Sequence, residues 1–552
     1  MSQIGKHPKG LSVLFTTEMW ERFNFYGMRA LLALFLVNAL TFNEAQASVI
    51  YGGFLGLSYL ANMLGGYVSD RYLGNRNCIL LGGYTMTIGL SLLFTSSIVY
   101  ASDVSTARIV LWIALGIMIF GTGFFKPNIS SMVGQLYPKG DSRLDSAFTI
   151  FYMGINLGAF LGITICPILG DVKIGGVRDV SAFKWGFLAA GIAMALGTTI
   201  FYFLKDKYVV TPEGEAVGGK PDFREKQNTH GEATKAQFNN KSRMLAVTAT
   251  VLFIVFFHYF LGLNWIYSFI YSAGLALAGF IMTDSSLTKI ERHRIIVLYF
   301  VAFFVMFFWA CFEQAASSLT FIADYQTDRR LFGWDMPPSI VQNANSLFII
   351  IFALPFSFLW MWLQKRNMEP LSIVKQGIGL LLLALGFLII AFRVKDMGTM
   401  GKMGVIWLIV LYFFHTIGEL CLSPIGLSLV SKLSPIRFSS LLMGVWFLAN
   451  AAGYALAGTL GALLPPTGDK FQKASEIGVN LQAVLDKQIV VSGDLMARLQ
   501  ELNIPTEYPT IIGFTIHNLF EFFMVFVILP GTAGILLLLL SGWLKKLMHG
   551  VK

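Results

Sequence analysis

Charged residues gather in the first long apolar stretch of the sequence. Glu18, Arg22, Tyr26 and Arg29 follow one another at intervals of four, four and three residues, with Glu21 beside them. On an α-helix this spacing places the four side chains on one face. A guanidinium in such a row can bind a carboxylate through two parallel hydrogen bonds. A buried glutamate beside it can gain or lose a proton as the neighbouring charges change.

Further polar residues lie one by one inside later apolar stretches, each long enough to form a membrane-spanning helix. They are Tyr59, Lys126, Asn156, Glu313, Asn345, Glu419, Ser423 and Trp446. Ionisable side chains are costly inside a bilayer, so those that are retained are functional candidates. The simplest packing turns all of these residues towards one aqueous cavity. Fixed cations and anions there suit a zwitterion, whose carboxylate would bind arginine or lysine and whose amine would bind glutamate or asparagine.

Some of these residues also allow a structural interpretation. Arg29 and Glu313 could be an ion pair that fastens two helices together. Tyr59 and Trp446, as isolated aromatic residues, could be packing residues. Both interpretations stay open from the residues alone.

Enzymatic and metal chemistry find little support in the sequence. The four cysteines lie far apart in apolar stretches, without metal-ligand or paired spacing, and are expected to be small buried hydrophobic residues. Packing is the expected role of the single histidines on apolar helices, His258, His415 and His517. An enzyme would need an activated nucleophile or a metal cluster, and the sequence indicates neither. We therefore expect no catalytic residues and no metal site.

The composition is that of a membrane protein. The 552 residues are 55% hydrophobic and 13% charged, with a mean hydropathy of +0.65, whereas soluble domains carry about 25% charged residues. Continuous apolar runs exclude a transmembrane barrel, whose strands alternate in polarity. The net charge of +10 is not gathered with aromatic residues as nucleic-acid binding requires. The sequence also lacks the glycine-rich loop that would bind a nucleotide.

Fourteen apolar stretches are long enough to span a bilayer. They cover residues 11–40, 48–69, 77–100, 107–136, 144–168, 181–204, 244–262, 264–283, 295–322, 338–364, 371–392, 403–431, 438–463 and 511–544. If the N-terminus is cytoplasmic, 24 of the 41 Lys and Arg residues fall in cytoplasmic segments. Because cytoplasmic loops are enriched in basic residues, we predict a multi-pass protein of the cell inner membrane with both termini in the cytoplasm.

The spans group as six, two and six. We predict an N-terminal six-helix bundle (1–204), a cytoplasmic linker (205–243), an inserted transmembrane hairpin (244–283), and a C-terminal six-helix bundle (284–552) with a long outer loop (464–510). This layout resembles a major facilitator transporter, as does the run Gly66–Arg76 between the second and third spans. The predicted fold class is an all-α membrane protein with a major facilitator fold of fourteen transmembrane helices. The outer loop should be partly helical, with apolar positions at Leu481, Val484, Leu485, Leu495, Leu499 and Leu502.

The first span carries a more specific resemblance. The run Glu18–Gly27 resembles the Glu-x-x-Glu-Arg-Phe-x-x-Tyr-Gly signature of the proton-coupled oligopeptide transporter (POT) family, of the bacterial type. Further runs are similar to signatures of the same family in both predicted bundles: 121–128, 148–158, 312–314 and 418–424.

The resemblance implies roles for the polar residues. It implies proton coupling by Glu18, Glu21, Arg22 and Glu313. It implies a peptide site in which Arg22 and Lys126 bind the carboxylate, and Glu419, Asn156 and Asn345 bind the amine and backbone. Arg29 and Glu313, which the resemblance also implies as substrate-binding residues, would form a gate between the bundles. The pocket would be lined by Tyr26, Tyr59, Ser423 and Trp446.

The expected function is proton-driven symport that imports di- and tripeptides across the cell membrane by alternating access. Protons are expected as the coupling ion, without a cofactor, and peptides and the lipid bilayer as partners, without nucleic acid or nucleotide. A family member that moves another solute, such as nitrate, an amino-acid derivative or a drug-like compound, is the alternative. Side-chain preference, proton stoichiometry and oligomeric state stay open.

Overall fold

The computed structural model describes residues 7–138, 143–174, 177–211, 214–220, 238–435, 438–489 and 491–551. Thirteen helices in these ranges are long and apolar enough to cross a membrane. The first helix, Lys9–Asn38, is also long enough at 30 residues but carries Glu18, Glu21, Arg22 and Arg29. With it, the described residues contain the fourteen long helices that the sequence predicts.

The chain divides into two units. The first comprises Met1–Phe35 and Leu57–Ala233, and the second comprises Leu36–Gly56 and Thr234–Lys552. The first six helices are α1 (Lys9–Asn38), α2 (Glu44–Val68), α3 (Asn75–Val99), α4 (Val104–Gln135), α5 (Leu144–Gly170) and α6 (Phe183–Tyr208). A pair of short antiparallel strands, β1 (Lys173–Ile174) and β2 (Val177–Arg178), lies between α5 and α6.

The second unit contains the remaining elements. Its helices are α7 (Asn240–Val255), α8 (Trp265–Met282), α9 (Lys289–Phe312), α10 (Ser318–Tyr325), α11 (Asn343–Lys365), α12 (Ser372–Val394), α13 (Ile406–Leu433), α14 (Ser439–Gly461), α15 (Gly468–Glu476), α16 (Leu481–Leu485), α17 (Gly493–Glu501) and α18 (Leu519–Leu547). Its short strands are β3 (Thr327–Asp328), β4 (Arg330–Leu331), β5 (Trp334–Asp335), β6 (Met403–Gly404), β7 (Thr510–Ile511) and β8 (Phe514–Thr515).

Side-chain caps fix where several helices begin. Asp103 accepts hydrogen bonds from the backbone N–H groups of Ser105 and Thr106 at the start of α4. Thr288 and Glu291 form a reciprocal capping box at the start of α9. These caps satisfy backbone donors that have no partner inside the helix. The polar residues between apolar runs therefore act as helix starts as well as loops.

Some predicted spans differ from the observed helices, and two of them show why. The predicted span 295–322 is interrupted: α9 ends at Phe312, a 3₁₀ turn covers Glu313–Ala316, and α10 begins at Ser318. The predicted span 511–544 begins too early, because the hairpin of β7 and β8 precedes α18. Apolar composition alone does not distinguish these turns from helix, since Ile511, Ile512 and Phe514 are as hydrophobic as the helix that follows.

The predicted linker is partly structured. Helix α6 continues to Tyr208, so the first four residues of the predicted segment 205–243 are helical. Arg76 then holds the following chain: its Nε donates to the carbonyl of Val217 at 2.6 Å, and its Nη1 lies 2.7 Å from Asp206 Oδ1. Its backbone N–H donates to the carbonyl of Gly218 at 3.0 Å. Residues 212–213 and 221–237 of this segment lie outside the described residues.

The predicted outer loop, 464–510, has a small hydrophobic core of its own. Ala474, Leu481, Leu485, Leu499 and Ile504 are buried together. Val484 is buried as well, and Leu495 and Leu502 pack against this core. The predicted helical segments and their apolar positions are therefore confirmed.

A buried ion pair joins this loop to the start of α2. Lys470 Nζ lies 2.9 Å from Glu44 Oε1, and the lysine side chain is 4% exposed. Asn503 Nδ2 also donates to the carbonyl of Thr41 at 3.3 Å. Burial raises the pKa of the neighbouring Asp469 carboxyl, an effect that Lys470 opposes. The ion pair borders a cavity of about 490 Å³. It attaches the loop to the start of α2, which also belongs to the second unit.

Replacing Lys470 with methionine should lower the thermal stability of the protein. The change leaves Glu44, whose side chain is only 13% exposed, without its cation, and breaking one side of a buried pair costs about 3 kcal/mol or more. Unfolding of the purified protein in detergent, followed by light scattering or intrinsic fluorescence, measures the shift. The double variant Lys470→Met with Glu44→Gln should regain much of the loss. A single variant as stable as the wild type would contradict this role.

Candidate functional site

The charged residues of α1 form one buried cluster. Glu18, Glu21 and Arg22 are each at most 3% exposed. Arg22 Nε lies 3.0 Å from Glu18 Oε1 and also contacts Glu21 Oε2. Among the described residues, Arg22 Nη2, Glu18 Oε2 and Glu21 Oε1 have no hydrogen-bond partner. The guanidinium and both carboxylates thus retain capacity for further hydrogen bonds.

Lys126 and Tyr59 extend this cluster. Lys126 Nζ donates to Tyr59 Oη at 2.8 Å and lies 3.9 Å from the centroid of the same ring. Lys126 interacts electrostatically with Glu18 and Glu21, and Tyr59 with Arg22. The first unit therefore brings together two acids, two bases and a phenol from α1, α2 and α4. Both cations are held where a carboxylate could bind them.

Arg29 and Tyr26 lie further along α1. The Arg29 guanidinium is 4.8 Å from the centroid of the Tyr26 ring, within the range of a cation–π interaction. Arg29 is 7% exposed. The aromatic ring thus covers part of a buried cation.

Glycines on α5 allow this helix to approach α1 closely. A Cβ atom at Gly158 would lie 2.1 Å from the carbonyl oxygen of Met19 and 2.9 Å from Cβ of Arg22. A Cβ at Gly162 would lie 2.3 Å from the carbonyl oxygen of Phe23. Small residues at intervals of four are the usual means of close helix packing in membranes. Asn156, on the same helix, is buried and donates to the carbonyl of Tyr152 at 2.9 Å.

Glu419 is the centre of a second polar cluster, in the second unit. Its Oε2 accepts a hydrogen bond from Asn345 Nδ2 at 3.2 Å. The same amide donates to Thr416 Oγ1 at 2.9 Å. Thr416 was not predicted, although it lies three residues before Glu419 and so shares its helix face. Ser423 follows Glu419 by one turn of α13 and is half-buried.

Glu313 lies in the break between α9 and α10. The carboxylate is 3% exposed and accepts a hydrogen bond from Tyr51 Oη at 3.1 Å. Tyr51, which is fully buried, was not predicted as a partner. Its signal in the sequence is weak, because one tyrosine in an apolar helix resembles a packing residue.

Gln314 supports the backbone at this break. Its Nε2 donates to the carbonyl oxygens of Ala310 and Ala457, both at 2.9 Å. Its Oε1 accepts a hydrogen bond from Ser318 Oγ at 2.6 Å. An interrupted helix exposes backbone polar groups, and these need partners where water is absent. The glutamine supplies them from a side chain.

Trp446 is buried in α14. It is 4% exposed, and its ring lies so close to Gly426 of α13 that a Cβ there would be 2.3 Å from the indole. The structure therefore places this residue in helix packing, and its predicted contact with substrate stays a prediction.

A family comparison identifies this architecture. A sequence model described as the POT family matches residues 76–474. The chain belongs to the POT family. The match covers well over half of the chain and confirms the family that the first-span signature indicates.

Individual relatives of this POT protein also bear the names of transporters. The chain is 35% identical over 465 residues to an uncharacterized transporter, YclF, of Bacillus subtilis, covering 83% of this chain and 88% of the relative. It is 33% identical over 468 residues to the peptide transporter YePEPT of Yersinia enterocolitica, covering 82% and 88%. A di-/tripeptide transporter of Lactococcus lactis is 32% identical over 469 residues, covering 81% and 88%.

Solved structures agree with the fold. A POT family transporter crystallised with 5-aminolevulinic acid has a TM-score of 0.72 and 28% sequence identity, covering 98% of this chain and 97% of that chain. The same values hold for a POT family transporter in complex with a thioalcohol-conjugated peptide. The predicted all-α fold of the major facilitator type is confirmed, and the protein is a multi-pass membrane transporter of the peptide-transporting POT family.

The predicted site residues of this POT protein fall into separate groups. In the first unit the structure brings together Glu18, Glu21, Arg22, Lys126 and Tyr59, and in the second it joins Glu419 to Asn345. Glu313 forms its described hydrogen bond with Tyr51, and Asn156 bonds within its own helix. The substrate, gate and proton roles of these residues stay predictions.

Replacing Gly158 with alanine should weaken folding and transport together. The added methyl would overlap the backbone of Met19 and press on Cβ of Arg22, so α5 must move away from α1 and its contact with Arg22 changes. Overpacking of this kind costs about 1–3 kcal/mol. Thermal unfolding and radiolabelled uptake measure both effects. Gly116→Ala on α4 is the matched control, because a Cβ there meets nothing within 4 Å. Equal behaviour of the two variants would contradict the close-packing role.

Proposed function

We propose that this POT protein is a proton-driven symporter that imports di- and tripeptides across the cell inner membrane by alternating access. The observation that carries the proposal is Arg22, buried between Glu18 and Glu21 with guanidinium hydrogen-bonding capacity left over. Support also comes from relatives that are named peptide or di-/tripeptide transporters.

Arg22 and Lys126 are the proposed ligands of the peptide carboxylate. Both are fixed cations of the same cluster, and Arg22 offers the planar donor pair that a carboxylate fits. Substrate binding would then compete with Glu18 and Glu21 for the guanidinium. A carboxylate that loses its cation in a buried site is costly unless it takes up a proton. Peptide and proton binding to this cluster would therefore favour each other.

Glu419 and Asn345 are the proposed ligands of the peptide amine, with Asn156 as a further partner of the peptide backbone. Asn345 already orients the Glu419 carboxylate, and this carboxylate would accept hydrogen bonds from the ammonium group of the peptide. Tyr26, Tyr59, Ser423 and Trp446 complete the proposed lining. We assign Arg29 and Glu313 to gating, and to Glu313 a part in proton coupling, as the family resemblance implies. If the protein binds mainly the two ends of the peptide, it would recognise the side chains of the substrate only weakly.

The proposed topology places both termini in the cytoplasm, with 205–243 as a cytoplasmic linker and 464–510 outside. It rests on the excess of Lys and Arg in the segments assigned to the cytoplasm. Protons are the proposed coupling ion, and no other cofactor is needed for the mechanism.

A second candidate is transport of another zwitterionic solute, such as an amino-acid derivative. It is favoured by the structurally similar POT transporter in complex with 5-aminolevulinic acid, a molecule with one amine and one carboxylate. The same two clusters would bind its ends, so competition experiments must separate the two candidates.

Uptake into liposomes with an imposed pH gradient tests the function. Labelled dialanine should accumulate when the outside is acidic, and unlabelled di- and tripeptides should compete with it. Free amino acids, 5-aminolevulinic acid and nitrate should compete weakly. Accumulation that ignores the pH gradient would contradict proton coupling, and stronger competition by 5-aminolevulinic acid than by dipeptides would favour the second candidate.

Replacing Glu21 with glutamine should abolish gradient-driven uptake but leave peptide exchange measurable. The amide keeps the shape of the carboxyl group but cannot gain or lose a proton, whereas exchange of peptide for peptide needs no net proton movement. Counterflow of labelled dialanine in preloaded liposomes measures exchange. Retention of gradient-driven uptake by this variant would exclude Glu21 as a proton carrier.

Replacing Glu419 with alanine should weaken binding of peptides that have a free amine, with a smaller effect on N-acetylated peptides. The carboxylate is the proposed partner of the ammonium group, and hydrogen bonds to charged groups contribute about 1.5–3 kcal/mol. Competition curves for dialanine and N-acetyl-dialanine measure the difference. Equal losses for both ligands would contradict the amine-site role.

A further inference from the structure

Two hairpins of the second unit share an unusual turn. In β4–β5 the turn is Phe332–Gly333, with φ of 51° and 81°, and in β7–β8 it is Ile512–Gly513, with φ of 47° and 82°. Two-residue hairpin turns with both φ positive favour Asn-Gly or Asp-Gly. A bulky or β-branched residue in the left-handed region is an outlier. Both hairpins therefore place a large apolar residue where asparagine would suit the backbone better.

The apolar side chains at these turns are exposed. Phe332 is fully exposed, Ile512 is 93% exposed, and their neighbours Trp334 and Phe514 are 48% and 75% exposed. Burying one such side chain contributes about 1.5–3 kcal/mol. With four such side chains in water, the protein would forgo this stabilising free energy at each of them, in addition to the cost of the backbone strain. An apolar medium that covers these side chains would remove this loss.

The hairpins lie next to the ends of membrane-spanning helices. β3 pairs with β6 immediately before α13, and a 3₁₀ turn at Pro338–Ile340 leads from β5 into α11. β8 is followed closely by α18 at Leu519. A strand of two residues spans about 7 Å, and the interfacial layer on each side of the hydrocarbon core is ~5–7 Å deep. Hairpins of this length cannot carry their tips far from the membrane.

Charged groups flank the base of the first hairpin. Arg330 donates to both oxygens of Asp328, at 3.0 and 2.9 Å, and this bonding lowers the pKa of the Asp328 carboxyl to about 2. Arg329 anchors the base through the carbonyls of Ala323 and Met336. Charges beside exposed aromatic and aliphatic tips are the combination found at bilayer interfaces.

The exposed apolar surface continues from this hairpin. Helix α11, which follows it, has exposed apolar side chains along its length: Leu347, Ile350, Ile351, Leu354 and Phe358. In the first unit, β1 and β2 carry two more exposed apolar residues, Ile174 and Val177. Within the described residues, a pair of short strands with exposed apolar residues thus precedes a long apolar helix at three places.

We propose that the tips of the β4–β5 and β7–β8 hairpins insert into the interfacial layer of the lipid bilayer and anchor the ends of α11 and α18 there. The partner is the membrane lipid itself, with Phe332, Trp334, Ile512 and Phe514 as the inserted side chains. This role does not depend on which solute the protein transports.

Depth measurements on the full-length protein test the anchors. Phe332→Cys and Ile512→Cys are labelled with bimane and reconstituted into vesicles of phosphatidylethanolamine and phosphatidylglycerol. The four native cysteines are buried, so the new thiols should label selectively. A lipid with a nitroxide in its headgroup should quench both labels several times more strongly than it quenches a label at Lys487→Cys, whereas aqueous iodide should do the reverse. Lys487 is the matched control because it is exposed and also has a positive φ of 58°.

Iodide quenching at positions 332 and 512 equal to that at 487 would overturn the proposal. So would protection that disappears when the protein is diluted with lipid, because a second copy of the chain would then cover the tips. Phe514→Cys is the substitute if one variant fails to fold.

The double variant Phe332→Asn with Ile512→Asn provides a second measurement. Asparagine is favoured at the first position of both turns, so turn geometry alone predicts that the thermal stability in vesicles is equal or higher. Anchoring predicts lower stability in vesicles and an unchanged or improved value in detergent, and a gain in both media would overturn it.

Discussion

The cost of placing charge in a bilayer governs this structure. α1 carries two carboxylates and two guanidinium groups. The hydrocarbon of the bilayer does not solvate these charges. Glu18 and Glu21 are stabilised by Arg22, whose guanidinium they both contact, while Arg29 lies over Tyr26. The cluster also requires close neighbours, which the glycines of α5 permit. In this unit, the pairing of the charges therefore depends on the close packing of α1 and α5.

The same constraint explains how much of the fold the sequence could predict. Spans were recognisable because an apolar run of the right length has few alternatives, and Glu18, Lys126 and Glu419 stood out because charges are rare in such runs. The outer loop was predictable for a similar reason, since its leucines recur at helical spacing. Interruptions of the apolar pattern carried less information: the turn at Glu313 and the hairpin before α18 are built from residues as hydrophobic as the helices around them.

Partners were harder to predict than candidates. Tyr51 and Thr416 form hydrogen bonds to Glu313 and Asn345, respectively, but a single hydroxyl in a long helix has no local signal. Lys470 and Glu44 are more than 400 residues apart in the chain, so only the folded structure joins them. Trp446 illustrates a related limit, because the match of its position to a family pocket does not indicate that its ring also packs against Gly426. Long-range pairing depends on how helices meet, which local spacing does not specify.

Gln314 has a consequence for any attempt to alter what the protein recognises. It stands beside Glu313, a candidate site residue, yet its amide is committed to carbonyl oxygens of two helices and to Ser318. Libraries that randomise this region for new specificity should therefore vary Glu313 and leave its neighbour fixed. Replacement of the glutamine by an apolar residue of similar size would remove one donor from each of two buried carbonyls, and failed clones would then reflect lost folding rather than lost recognition.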